Sequence, residues 1–142
     1  MVERVSWDRY FLNIAKEVST RATCSRASVG AVLVQGNRIL TTGYNGAPPG
    51  MRHCDHDNIT GGGGDVVDNH CTVAIHAEVN AVAQAAAIGV SVHRATCYLY
   101  DTLYRGQNCR NCTQILLAAG IDIVKRLDEK GMVVHLYLPD LY

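Results

Sequence analysis

Behind Ser6, the apolar residues Trp7, Tyr10, Phe11, Ile14 and Val18 recur every three or four positions. That is the period of a helix with one buried side. Ser6 suits the cap and Asp8 the positively polarised first turn, so a helix is predicted to about Ser19 with these aromatics in the core. Residues 29–34 and 38–44 then read as strands joined through Gly36-Asn37, a hairpin signal. From Gly43 to about Asn69 the chain is rich in turn formers and includes Gly61 to Gly64, which reads as a long loop, either a lid or an exposed tip. Helical spacing returns at Ile75, Val79, Val82, Ala83 and Ala86, with Gly89 as a stop. Residues 95–100 form a third predicted strand, 101–108 a loop, and 109–119 a helix that ends at Gly120. Residues 121–125 and 133–138 complete five strands, the last closed by Pro139. The order α, β, β, α, β, α, β, β predicts an α/β protein: a mixed sheet with helices packed on it. No repeat or linker divides it, so one domain is expected over 1–142.

Composition narrows the partners. The chain has 142 residues, enough for a real core, and 13 basic residues balance 13 acidic ones. Zero net charge disfavours a nucleic-acid polymer, whose phosphates call for a basic surface, but leaves room for a small anion held by one or two arginines. No stretch approaches the ~20 apolar residues of a membrane span. The first ten residues carry charges and no apolar signal core, so a cytoplasmic protein is expected. In that reducing compartment the six cysteines point to metal or free thiols rather than disulfides.

Two short stretches carry the chemistry. One is His76-Ala77-Glu78 and the other Cys109-Arg110-Asn111-Cys112. Alone, the Cys-x-x-Cys could be a redox pair or a structural zinc clip, and a lone His-x-Glu means little. Together they offer one imidazole, two thiolates and a spare carboxylate. A catalytic zinc takes three protein ligands and keeps a position for water. His76, Cys109 and Cys112 are the expected ligands, leaving Glu78 free to move protons. Both groups fall at predicted helix N-termini, where the unpaired N–H groups favour thiolate over thiol. Cys97, inside a predicted strand, reads as core.

This constellation resembles the zinc-dependent nucleobase deaminases, whose signature is His-x-Glu followed by Pro-Cys-x-x-Cys. Here Asn108 stands where the signature has Pro. Further features extend the resemblance to the deoxycytidylate (dCMP) deaminases of the bacterial and phage type. They are Cys24-Ser25-Arg26 before Val29-Gly30-Ala31, the Gly43-Tyr44-Asn45-Gly46 segment, and a Cys/His-bearing insertion before Ile75. The resemblance implies a cytidine deaminase-like three-layer fold, a mixed five-stranded sheet with helices on both faces. It implies hydrolytic conversion of dCMP to dUMP and ammonia, with Glu78 as proton carrier. Ala77 would hold the pyrimidine carbonyl through its backbone, Asn45 would touch sugar or base, and Arg26 would meet the 5′-phosphate.

The resemblance also implies a second, structural zinc. Cys24, Cys54 and His70 are its leading ligands, Cys71 the next, and His53 and His56 the substitutes. It implies a homo-oligomer, a hexamer, controlled by dCTP and dTTP at a site involving Gly43, Tyr44, Asn45 and Gly46; a triphosphate effector would bring Mg2+. The loop 101–108 is longer than the family's usual one, and Tyr104 and Arg105 are its candidates for facing the substrate. Two other readings stay open at this point: a zinc deaminase of another small nucleoside, nucleotide or base, and a non-catalytic zinc-stabilised nucleotide-binding protein.

Overall fold

The computed structural model of the chain describes residues 2–56, 66–67, 70–103 and 109–141, with 66, 67 and 70 described by their backbone. Helix α1 (Trp7–Ser19) begins where Ser6 accepts the Arg9 N–H at 3.1 Å. Strands β1 (Val29–Gln35) and β2 (Arg38–Tyr44) pair antiparallel. Gly36 and Asn37 between them both take positive φ, 56° and 59°, as a tight hairpin turn of the right twist requires. A short ribbon follows, β3 (Val66–Val67) against β4 (His70–Cys71), inside the stretch expected to be loop. Then come α2 (Ala77–Ile88), β5 (Thr96–Asp101), α3 (Arg110–Ala118), β6 (Ile123–Leu127) and β7 (Val133–Tyr137), closed by a 3-10 turn (Leu138–Leu141).

The main sheet has the order β2-β1-β5-β6-β7, with β5 and β6 parallel and the other pairs antiparallel. Phe11, Leu12 and Ala15 of α1 pack with Val32, Val34 and Tyr98 on one face. Ala77, Ala81 and Ala85 of α2 and Leu116 of α3 pack with Ala31, Leu33, Cys97, Leu99 and Val124 on the other. This is the expected three-layer arrangement, helices on both faces of a mixed five-stranded sheet, and Cys97 is core as read.

The helix faces differ from the expectation in two places. Trp7 and Tyr10 are 51% and 44% exposed, because Leu12 and Ala15, absent from the expected stripe, turn to the sheet beside Phe11. In α2 the buried line is Ala77, Ala81 and Ala85, whereas Ala83 and Ala86 face outward. That helix is apolar nearly all round, so periodicity alone could not choose its face. Its smallest side chains face the sheet because β2 presents Gly43 there. A Cβ at Gly43 would strike the Ala77 carbonyl and the Ala81 backbone. The fourth strand starts two residues later than expected, since Gly120, at φ 87°, and the Ile121 N–H bonded back to the Leu116 carbonyl at 2.9 Å still belong to the helix end.

A candidate zinc-deaminase active site

The topology gathers the chemistry at one end of the sheet. Strands β2, β5 and β6 end there and β1 begins there, with Val29 opposite Asp101 and Gly30 opposite Tyr44. The segment after β2 pairs with the segment before α2: Gly46 N–H donates to the Ile75 carbonyl at 3.1 Å and Ile75 N–H to the Gly46 carbonyl at 2.8 Å. His76 is therefore delivered as N-cap of α2, and Cys109 is N-cap of α3. Neither side chain makes a capping hydrogen bond, so both donor atoms stay available.

His76, Cys109 and Cys112 bring their donor atoms within 4.8 Å of one another, and His76 Nδ1 lies 3.1 Å from Cys112 Sγ. Donors around a tetrahedral zinc stand roughly 3.3–3.8 Å apart, so this set of one imidazole and two sulfurs fits that ion. Glu78, in the first turn of α2, is 4% exposed, and its carboxylate acts on the Cys112 thiol. Burial pushes the Cys112 thiol far above its usual range, and the charges of Glu78 and Cys109 push it further. A cation held among these donors would supply the opposite charge that the buried Cys112 sulfur lacks. Burial likewise raises the Cys97 thiol well above its usual range, with the Glu78 carboxylate adding to that and Arg126 opposing it.

A second group joins Cys24, Cys54, His56 and Cys71, whose donor atoms also lie within 4.8 Å of one another. Cys24 Sγ sits 3.3 Å from His56 Nε2, and the Ala74 N–H donates to Cys71 Sγ at 3.3 Å. Burial raises the Cys54 thiol to about 12, helped by Cys24 and Cys71. For Cys71 burial acts upward too, but the Ala74 and Val73 N–H groups and the other two thiols bring it below its usual value. Three cysteine sulfurs and an imidazole are a donor set suited to a closed four-ligand zinc, which takes the thiols as thiolates. The imidazole in this group is His56, which sequence offered only as a substitute. The side chain of His70 lies outside the described residues, and His53 is exposed and outside the group.

Other expected residues find varied settings. Arg26 is exposed, two residues after Cys24 and just before β1. Ala77 is fully buried and opens α2, so its N–H is one of the first-turn donors with no partner inside the helix. Asn45 is buried, and its carboxamide accepts from Val29 N–H and donates to the Ala27 carbonyl, both at 2.8 Å. It thereby braces the segment that carries Arg26. Tyr44 is 37% exposed at the end of β2. Tyr104, Arg105 and Asn108 lie outside the described residues. Sequence reasoning gave no role to Asn80, whose side-chain amide lies on three backbone carbonyls around the site, nor to Arg126, a buried cation in β6 on the same face as Leu99 and Val124. Arg126 lies in the charged run Lys125-Arg126-Leu127-Asp128, which left no signal to single it out. Among the described residues no helix is long and apolar enough to cross a membrane.

Comparison with known proteins agrees with this geometry. Residues 5–127 match the family described as the cytidine and deoxycytidylate deaminase zinc-binding region. The chain is 35% identical over 141 residues to ComE operon protein 2 of Bacillus subtilis (strain 168), covering 99% of this chain and 68% of that protein. It is 36% identical over 133 residues to the deoxycytidylate deaminase of Mycobacterium phage D29, covering 87% of this chain and 95% of the phage protein. Among solved structures, the dCMP deaminase of cyanophage S-TIM5 in complex with dCMP and dUMP shares the fold at a TM-score of 0.68 and 22% identity, covering 89% of this chain and 85% of that one. The chain belongs to the family of zinc-dependent cytidine and deoxycytidylate deaminases.

Proposed function

We propose that the protein hydrolyses dCMP to dUMP and ammonia. The observation that carries this reading is a buried carboxylate, Glu78, set beside a three-donor group, His76, Cys109 and Cys112, that has no fourth member among the described residues. The substrate choice rests on likeness: the Mycobacterium phage D29 relative, matched over 95% of its length, is a deoxycytidylate deaminase. Zinc bound by the three donors supplies the Lewis acidity that makes water nucleophilic near neutral pH. Glu78 takes a proton from that water and places it on ring nitrogen N3. The water oxygen bonds to C4; Glu78 then takes its remaining proton and hands it to the amine, so that the C4–N bond breaks, ammonia leaves and the C4 carbonyl forms. Its burial keeps bulk water from competing for those protons. The Ala77 N–H faces the pyrimidine carbonyl, Asn45 supports the sugar side, and Arg26 meets the 5′-phosphate.

The same reading gives Cys24, Cys54, His56 and Cys71 a structural zinc that ties the start of β1 to the approach of α2. It also takes residues 1–142 as one domain, in a cytoplasmic homo-oligomer, a hexamer. In that assembly dCTP and dTTP, as Mg2+ complexes, act near Gly43, Tyr44, Asn45 and Gly46. The test is ammonia release by the zinc-loaded protein from dCMP, CMP, deoxycytidine and dCTP, each with and without added dCTP or dTTP. Preference for dCMP is expected. Deamination of deoxycytidine as fast as dCMP, or of none of the four, would overturn the substrate assignment.

A further inference from the structure

The Asn80 side chain is placed where no backbone group could substitute for it. It lies in the first turn of α2, two residues beyond Glu78, and its Nδ2 donates to the Tyr44 carbonyl at 2.8 Å. The same nitrogen reaches the carbonyls of Gly46 and Ile75, each at 3.3 Å. Two N–H bonds thus serve three carbonyls on two separate segments, the one leaving β2 and the one entering α2. Those segments are also joined by the reciprocal Gly46–Ile75 pair. Beyond Gly46 the chain of contacts continues: the Asn45 carboxamide holds Ala27 and Val29, and the Thr23 N–H donates to the Asn45 carbonyl at 3.1 Å.

We infer that Asn80 is a positioning residue that locks the nucleotide-side segment, Ala27 and Tyr44 to Gly46, to the helix that carries His76 and Glu78. The inference rests on the deaminase reading for its kinetic consequence, but the clamp itself stands on the Asn80 hydrogen bonds. An aligned carboxamide is the right group for it. It places a donor, not an acceptor, against clustered carbonyl oxygens, and it is short enough to hold two strands of chain near van der Waals contact. With the clamp gone, the loop and helix can drift apart by fractions of an ångström, and a misplacement on that scale costs rate because the substrate must reach from one to the other.

Two substitutions separate this role from general stability. Asn80→Ala removes the donor. Asn80→Asp keeps the shape but sets a carboxylate against three carbonyl oxygens, so it is expected to be the more damaging of the two even though it is isosteric. With dCMP as substrate, KM should rise about tenfold in Asn80→Ala, while kcat falls less and bound zinc stays as in the unaltered protein. Amide exchange at Gly46 and Ile75 should speed up about tenfold in the same variant, a readout that needs no turnover. A double-mutant cycle with Asn45→Ala should be non-additive in KM by at least about threefold, since both residues hold one segment.

Unchanged exchange at Gly46 and Ile75, KM within twofold of the unaltered protein, Asn80→Asp milder than Asn80→Ala, or an additive cycle would each overturn the inference. Should Asn80→Ala not fold, Asn80→Ser keeps one donor and carries the same kinetic and exchange tests. If the unaltered protein does not deaminate dCMP, the substrate assignment fails, while the exchange result still decides the clamp.

Discussion

The two Cys/His groups use similar atoms for opposite ends. His76 and Cys109 cap two helices and Cys112 sits in the first turn of one, and both helices are packed on the sheet and braced by the core. Cys24, Cys54, His56 and Cys71 come from connecting segments and a two-residue strand. The first group has three donors with a buried acid beside them; the second has four donors and no such acid among its members. Three ligands on rigid elements leave a position for chemistry, whereas four ligands on loops close the coordination and hold the loops. On the proposed reading, ligand identity does not set a metal's work; the number of donors and the stiffness of what carries them do.

The comparison can be broken most sharply at Cys112. Cys112→Ala should lower dCMP turnover by at least about 10³-fold and reduce bound zinc from about two ions per chain to about one, with the second group still loaded. Elemental analysis beside the kinetic assay reads both. In Cys54→Ser the pattern should invert. Thermal melting should fall by roughly 5–10 °C and one zinc should be lost, while kcat drops less than about tenfold. Equal kinetic damage from the two variants would mean that the groups do not divide the labour. Arg26→Ala should raise KM for dCMP about tenfold and leave that for deoxycytidine unchanged, because only the nucleotide has a phosphate to lose.

The smallest effect is expected far from both groups. Burial opposes the charge of Asp8, but the Tyr98 hydroxyl at 2.6 Å and the Lys125 ammonium at 2.9 Å, with His135 adding a smaller attraction, hold its carboxyl below the usual value. A depressed carboxylate stabilises the fold above its unfolded pKa, and that contribution fades as pH falls through the lower folded value. Melting temperature should therefore decline below about pH 4 in the unaltered protein and more shallowly in Asp8→Asn, with turnover at neutral pH the same in both.

What sequence could reveal divides along the same line as the two groups. His-x-Glu and Cys-x-x-Cys are local patterns, and their ligand spacing follows from one helical turn. The hairpin at Gly36-Asn37 and the helix caps at Ser6 and Gly89 were legible for the same reason. His56 was ranked below His70 because its partners, Cys24 and Cys71, meet it only through the tertiary path of the loop. Asn80 was silent because its partners are backbone carbonyls, which leave no mark on residue type. The inward face of α2 was misjudged because an almost wholly apolar helix has no polar side to mark the outside; Gly43, on another element, decides it.

The most direct test of the account is dUMP formation from dCMP by Glu78→Gln, measured at zinc content matched to the unaltered protein. Turnover reduced by about 10³-fold or more with both zinc ions retained is the predicted result, since the amide keeps the shape but cannot take or give the protons. Turnover within tenfold of the unaltered protein at equal zinc would contradict it, because the buried carboxylate would then have no part in the chemistry.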